Sequence, residues 1–406
     1  MKKFIAMLLA VLMVVGMFAG CGSEKAAEVP AADAAEAPAA DAAEAPAAEG
    51  AAPALKIGMT GPLTGGAAVY GTAVEAGIEI AVEEINADPN NTLKLEFQSQ
   101  DDEADGEKAV SGYNVLKDWG MQVFIGTVTS GACNAVAPEA VADEIFLLTP
   151  SASAKEVAEA GSTTFQMCFT DPNQGASAAE VIANNWADAA VGVVYDASDD
   201  YSSGLCDGFL TKAEELGLNI VVETSFTADT KSDLSTQVTQ CKDAGADLMF
   251  LPIYYPEASQ ILQYANKISY APTYVGCDGM DGILDVEGFD TSLAEGMALL
   301  TPFDANATDE ATQSFVAKYV EKTGGVPNQF AADAYDCVYA VYTAAVAAGI
   351  DGSTAAADVC AALVEQFNSM TFDGLTGKGM TWDEIGMISK APAAVVIENG
   401  IYVPMA

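Results

Sequence analysis

VFIGTVTSGACNAVAPEAVADEIFLLTPSAS, from Val123 to Ser153, is the stretch that decides the fold. Val123, Phe124 and Ile125 form a short apolar run, as in a strand buried on both faces. Gly126 ends it, and a loop follows with Thr127, Thr129, Ser130 and Gly131. A helix is predicted from about Asn134 to Asp143, then a second strand from Ile145 to Leu148. That strand stops at Thr149-Pro150 and opens into Ser151-Ala152-Ser153. Two parallel strands joined by a crossover helix bring both hydroxyl loops to the carboxyl-terminal edge of one sheet, where open α/β sheets bind small ligands. Hydroxyls and free N–H groups at a helix start suit an anionic group such as a carboxylate. The same residues would equally serve as ordinary helix caps.

Working outward, the units upstream follow the same scheme. Leu55–Met59 reads as a strand, followed by the tight loop TGPLTGG at 60–66 and a helix that begins near Tyr70. In that helix Val74, Ile78, Ala81, Val82 and Ile85 recur at helical spacing. Leu93–Gln98 alternates as a strand, and Ala109–Trp119 reads as a helix. Downstream, Phe165–Phe169 is a further strand, and Thr170–Gly175, rich in breakers, marks a crossing between two halves.

A second α/β series then starts. Strands are predicted at 190–195, 219–226 and 247–253, with helices at 205–216 and 234–244. Tyr201 lies in a polar loop, and Tyr254-Tyr255-Pro256 opens another helix. Thr273–Val275 leads into Gly276-Cys277-Asp278-Gly279, and Met297–Pro302 reads as a strand returning toward the first half. Long helices follow at 311–322, 331–347 and 356–367. Asn399-Gly400 sits between two short apolar runs as the turn of a terminal hairpin. The alternation predicts an α/β protein with a parallel sheet in each half, flanked by helices.

At the start of the chain, Lys2 and Lys3 precede the uncharged apolar run Phe4–Phe18, then Ala19-Gly20-Cys21. This is a targeting segment, too short for a comfortable membrane span. Its end resembles a bacterial lipoprotein lipobox, which implies that Cys21 is acylated. Residues 22–54 are mostly Ala, Pro, Glu and Asp with no large apolar side chain between Val29 and Leu55, so they are expected to be a disordered spacer. Roughly 350 residues remain, enough for two domains.

Fifty-eight Asp+Glu stand against 16 Lys+Arg, a net charge of -42. That balance argues against nucleic acid or any polyanion as partner. No histidine occurs, which removes Ser-His-Asp and Cys-His catalysis and His-containing zinc sites. The eight cysteines include no CxxC pair; with Cys21 lipidated an odd number remains, so at least one is free or pairs between chains. Paired acids such as Asp101-Asp102 would allow a hydrolase, but such pairs are far more often solvated surface.

Taken together, IGMTGPLTG, Tyr70-Gly71, FIGTVTSG, LLTPSAS, TDPNQG, VVYDASDDYSSGL, YYPE, GCDG, FAADAYD and TFDGLTGKG resemble, in order and spacing, the type I periplasmic binding proteins. Among these the chain is similar to the branched-chain amino acid (Leu/Ile/Val) receptors of ABC importers. The resemblance covers residues 55–406 and implies two Rossmann-like lobes, hinged, with a ligand cleft between them. Lobe 1 would take 55–171 plus 303–383, and lobe 2 would take 172–302 plus 384–406. It implies that Ser130 holds the ligand carboxylate, and that the Ser151 and Ser153 loop receives the α-amino group and helps with the carboxylate. Tyr201 and either Tyr254 or Tyr255 would be aromatic contacts, Asp278 would pair with the α-ammonium, and Tyr70 would line the side-chain pocket. FAADAYD would serve packing. Three departures stand out: no arginine precedes Asp171, the usual cysteine pair of lobe 1 has no counterpart after Gln98, and Asp278 is one methylene shorter than the family's frequent Glu.

The expected function is capture of an amino acid, branched-chain or otherwise apolar, and its delivery to an ABC permease. The alternative is a sensory receptor of the same fold for amides, aromatic acids or other small carboxylates. No enzymatic activity, cofactor, metal or nucleic acid is expected. The protein would be a monomer, lipid-anchored on the outer face of the bacterial cytoplasmic membrane.

Overall fold

The computed structural model describes residues 53–405. The expected leader, its lipidated Cys21 and nearly all of the spacer lie outside the described residues. Among those described, no helix is long and apolar enough to cross a membrane.

The first half builds a five-stranded sheet of order β2-β1-β3-β4-β5. Its strands are β1 (Leu55–Gly61), β2 (Leu95–Asp101), β3 (Val123–Ile125), β4 (Phe146–Thr149) and β5 (Thr164–Gln166), all paired in parallel. Helices α1 (Ala68–Ala87), α2 (Gly106–Trp119), α3 (Ser130–Ala142) and α4 (Lys155–Glu159) make the crossovers. The second sheet has seven strands in the order β12-β11-β10-β9-β8-β6-β7. They are β6 (Ala190–Asp196), β7 (Asn219–Phe226), β8 (Leu248–Leu251), β9 (Thr273–Gly276), β10 (Ala298–Thr301), β11 (Ala393–Glu398) and β12 (Ile401–Pro404). The expected terminal hairpin is β11–β12, and it joins this sheet antiparallel to β10. Four helices serve this half: α5 (Asp171–Asn185), α6 (Asp200–Leu216), α7 (Ser235–Asp243) and α8 (Tyr255–Lys267). Helices α9 (Glu310–Thr323), α10 (Gln329–Ala347) and α11 (Ala356–Phe367) return to the first sheet, where α9 and α10 pack on α1.

The central strands β3 and β4 of the first sheet and β8 and β10 of the second are buried on both faces. On the first, Tyr113, Leu116 and Val136 of α2 and α3 cover Phe124 and Leu147. Val74 and Ile78 of α1, with Val338 and Leu363, cover Ile57 and Leu148. Gly77 lets α1 approach α10 closely: a Cβ there would lie 2.2 Å from the carbonyl oxygen of Ala331. On the second sheet, Phe209 of α6 stacks on Phe250 of β8 with ring centroids 4.0 Å apart.

One expectation for local structure changes. The breaker-rich stretch after Thr170 opens a helix, because Pro172 stands in the first turn of α5, where its missing N–H is no loss. Met297–Pro302 ends the second half as expected: β10 sits between β9 and β11, and the chain recrosses after it. The third crossing, after α11, still bonds to the first sheet at Gly386, whose carbonyl accepts from Gln166 N at 3.0 Å.

Candidate functional site

The carboxyl-terminal edges of the two sheets meet around one small pocket. From the first half come Tyr70 in the first turn of α1, Val128, Thr129 and Ser130 at the start of α3, and Ser151 after β4. The second half supplies Tyr201 in α6, Tyr254 just before α8, and Asp278-Gly279 in a 3-10 turn after β9. Phe330, from the first turn of α10, closes the wall.

Asp278 is 3% exposed. Its Oδ1 accepts from the Tyr201 hydroxyl at 2.7 Å, and its backbone N–H donates to Gln174 Oε1 at 2.7 Å. Among the described residues no lysine or arginine forms an ion pair with it. Burial pushes its carboxyl up to about 6, opposed by the hydrogen bonds from Tyr201 and Gln174. A carboxylate held this way, facing a pocket, is suited to a cation that arrives with a ligand.

Across the pocket the site is neutral and rich in donors. Ser130 Oγ accepts from Ser153 N and Ala154 N, each at 3.1 Å, so its own proton remains to be donated. Ser130 is also the first residue of the 13-residue α3, whose leading N–H groups lack helical partners. Ser151 Oγ donates to Val128 O at 2.7 Å, which leaves an acceptor facing the pocket.

Six of the eight expected site residues thus share one wall: Tyr70, Ser130, Ser151, Tyr201, Tyr254 and Asp278. Of Tyr254 and Tyr255, Tyr254 lines the pocket; the Tyr255 hydroxyl instead donates to Gly66 O at 2.7 Å. Ser153 lies behind the wall, fully buried beside Asp171. Neither oxygen of Asp171 meets hydrogen-bonding geometry with a described group. Burial pushes its carboxyl well above the usual range, with the Ser153 hydroxyl opposing.

Sequence reasoning did not single out Val128, Gln174 or Phe330, and it named Thr129 only as one hydroxyl of its loop and Gly279 only as the neighbour of Asp278. Thr129 and Gly279 adjoin residues that were picked. Phe330 had no local signal: it was read as packing within FAADAYD, yet its ring centroid lies 4.7 Å from that of Tyr70. Gly279 has a steric reason to be glycine, since a Cβ there would sit 2.6 Å from the Tyr201 hydroxyl.

The two halves also bond directly to one another. Tyr70 donates to Gly279 O at 2.6 Å and accepts from Tyr255 N at 3.3 Å. Asn134 Nδ2 donates to Asp200 Oδ2 at 2.7 Å. At the start of α10, Gln329 N donates to Asp281 Oδ2 at 3.0 Å. The pocket is therefore enclosed between contacting lobes. No group of three or more His, Cys, Asp or Glu among the described residues could hold a metal ion, and the seven described cysteines are buried and free.

A family model described as "Periplasmic binding protein" matches residues 54–400. The Leu/Ile/Val-binding protein BraC3 of Rhizobium johnstonii is 28% identical over 284 residues, covering 68% of this chain and 76% of that protein. The crystal structure of the branched-chain amino acid transporter substrate-binding protein LivJ of Streptococcus pneumoniae, in complex with isoleucine, superposes with a TM-score of 0.77 at 26% identity. It covers 87% of this chain and 100% of the other. A solute-binding protein of an ABC transporter from R. palustris, in complex with benzoate, shares the fold alone, with a TM-score of 0.76 at 19% identity over 87% and 96% of the two chains. The chain belongs to the periplasmic binding protein family, in the type I group that includes the Leu/Ile/Val-binding proteins.

Proposed function

We propose that this protein captures a small amino acid between its two lobes and delivers it to an ABC permease. One observation carries the reading: Asp278, a buried carboxylate with no cation paired to it among the described residues, shares a pocket with the neutral donor wall at Ser130. The α-ammonium would take Asp278 and the acceptor side of Ser151. The carboxylate would take the Ser130 hydroxyl and the first N–H groups of α3, with Ser153 fixing Ser130 from behind. The rings of Tyr70, Tyr201 and Tyr254 would pack on the ligand, and Tyr255 would hold the Gly66 loop beside it. Burying an ion without its partner is costly, so ligand arrival and lobe closure are coupled. The lobes would be 55–171 plus 303–383 and 172–302 plus 384–406, working as a monomer tethered through acylated Cys21 on the outer face of the membrane.

The same fold could serve a sensor for aromatic acids, a reading favoured by the four aromatic rings in the wall; Asp278 weighs against it, since a benzoate-like ligand brings no cation. Isothermal titration of the protein beginning at residue 22 against the twenty amino acids tests the proposal. Saturable 1:1 binding of one or a few is expected. Binding of none, with an aromatic carboxylate bound instead, would overturn it.

A further inference from the structure

Thr129 begins α3, yet its hydroxyl does not cap that helix. A threonine in this position ordinarily accepts an N–H from the first turn, and here it makes no such bond. The residue is only 6% exposed, it lines the pocket, and its Oγ1 has no hydrogen-bond partner among the described residues. Tyr254 repeats the pattern from the other lobe. Its ring stacks on Tyr201 at 4.8 Å, and its hydroxyl, in the same pocket, is buried and unpartnered.

The other hydroxyls of the wall are committed. Tyr70 donates to Gly279 O, Tyr201 to Asp278, and Ser151 to Val128 O. Ser130 is assigned to the ligand carboxylate. Two buried polar atoms are left over, one on each lobe, and a purely aliphatic ligand would seal both without partners. A buried hydroxyl left unpaired is destabilising, whereas a pocket built to pair a ligand hydroxyl discriminates strongly against the analogue that lacks it. Among the described residues, Val128 is the one aliphatic side chain in the wall.

We infer that the bound amino acid carries a hydrogen-bonding group on a small side chain, of the threonine or serine class. Thr129 and Tyr254 are the residues that select it. This rests on the amino-acid reading above and narrows it.

Threonine and valine are nearly isosteric and differ by one hydroxyl, so their affinity ratio isolates the effect. Titration of the wild-type protein should show threonine binding about tenfold or more tightly than valine. Thr129→Val should bring the ratio toward one, chiefly by weakening threonine, while Thr129→Ser should preserve it; thermal melts of each variant check folding. Valine binding as tightly as threonine in the wild type would overturn the inference, as would a ratio unmoved in both Thr129→Val and Tyr254→Phe. Asp278→Asn separates the two levels. It should weaken threonine and valine equally, so an unchanged affinity there would overturn the ammonium assignment and leave the ratio test standing.

Discussion

The phenol of Tyr201 donates to Asp278 Oδ1 at 2.7 Å, and the Tyr201 hydroxyl oxygen accepts the N–H of Gly279 at 2.8 Å. One hydroxyl therefore orients the carboxylate and pins the turn that carries it. Tyr201 itself is buried, and burial together with the neighbouring Asp278 charge pushes its hydroxyl well above the usual phenol range, so it remains a donor.

Replacing the carboxylate separates its cost in the empty protein from its use in the complex. In Asp278→Asn the shape is kept and the charge is lost. Amino-acid binding should fall by about 2–5 kcal/mol, at least thirtyfold, the range for truncating one partner of a buried charged pair. The ligand-free protein should melt no lower than wild type at pH 7, because a buried carboxylate without a cation has been removed. Titration and thermal melting together check this; unchanged affinity would reject Asp278 as the ammonium partner.

Tyr201→Phe acts through Asp278. Losing the donor should raise the carboxyl further, because that hydrogen bond opposes the effect of burial. Affinity at pH 7 should drop about tenfold, the scale of one hydrogen bond to a charged group. The pH below which binding fails should also move upward. A simple loss of packing would lower affinity without moving that midpoint, so the pH profile distinguishes the two.

Acid should stabilise the ligand-free protein while weakening ligand binding. Burial pushes both Asp278 and Asp281 up to about 6, against an ordinary value of 3.8. A carboxyl raised in the fold binds more protons folded than unfolded between those values, so stability is lost as pH rises through 6 and regained as it falls. The ligand-free melting temperature should therefore rise from pH 7.5 to pH 5. Amino-acid binding needs Asp278 ionised, so the ligand-induced increase in melting temperature should shrink over the same interval. Proton release on binding near pH 6, read by titration in buffers of different ionisation enthalpy, is the companion measurement.

The sheet strands and most of the pocket were legible in the sequence because both are local. Val123–Ile125 and Phe146–Leu148 are uniformly apolar, and the hydroxyls that follow them mark strand ends. Each βα unit announces its own loop, which put Ser130, Tyr201 and Asp278 at or near strand ends, but the roles given to Tyr201 and Asp278 came from the resemblance in the order and spacing of the motifs. What was not legible depends on distant chain. Phe330 enters the pocket only because α10 packs on α1, more than 200 residues earlier in sequence. Helix α5 was missed because Pro172 and Gly175 read as breakers; the first is harmless in an opening turn, and the second sits where a Cβ would meet Leu205 O at 2.3 Å. The Tyr254/Tyr255 register was open because both are aromatic, and only the helix start between them sends one ring into the pocket.

The stretch read as packing, FAADAYD, holds a buried charge network that should govern stability. Lys390, in the last crossing before β11, places Nζ 2.5 Å from Asp333 Oδ1, with both side chains 3% exposed or less. Its Nζ also donates to Thr376 Oγ1 at 2.6 Å, and Thr376 Oγ1 in turn donates to Asp336 Oδ2 at 2.7 Å. Asp336 receives the N–H groups of Leu375 and Thr376 as well, at 2.8 and 2.9 Å. The crossing is thus tied to α10 by one cation that faces two buried acids. Lys390→Met keeps the length and removes the charge, leaving both acids without their cation. The expected loss is about 3–5 kcal/mol at pH 7, the cost of breaking a buried pair from one side. Burial already raises both carboxyls, with Lys390 opposing, so without the lysine they should rise further. The acids would then take up protons on acidification, and the loss should be smaller at pH 5 than at pH 7.5. Adding Asp333→Asn to Lys390→Met should recover part of the stability and flatten that pH dependence. Equal destabilisation at both pH values, or no recovery in the double variant, would mean that Lys390 acts through the packing of its methylene chain and not through its charge.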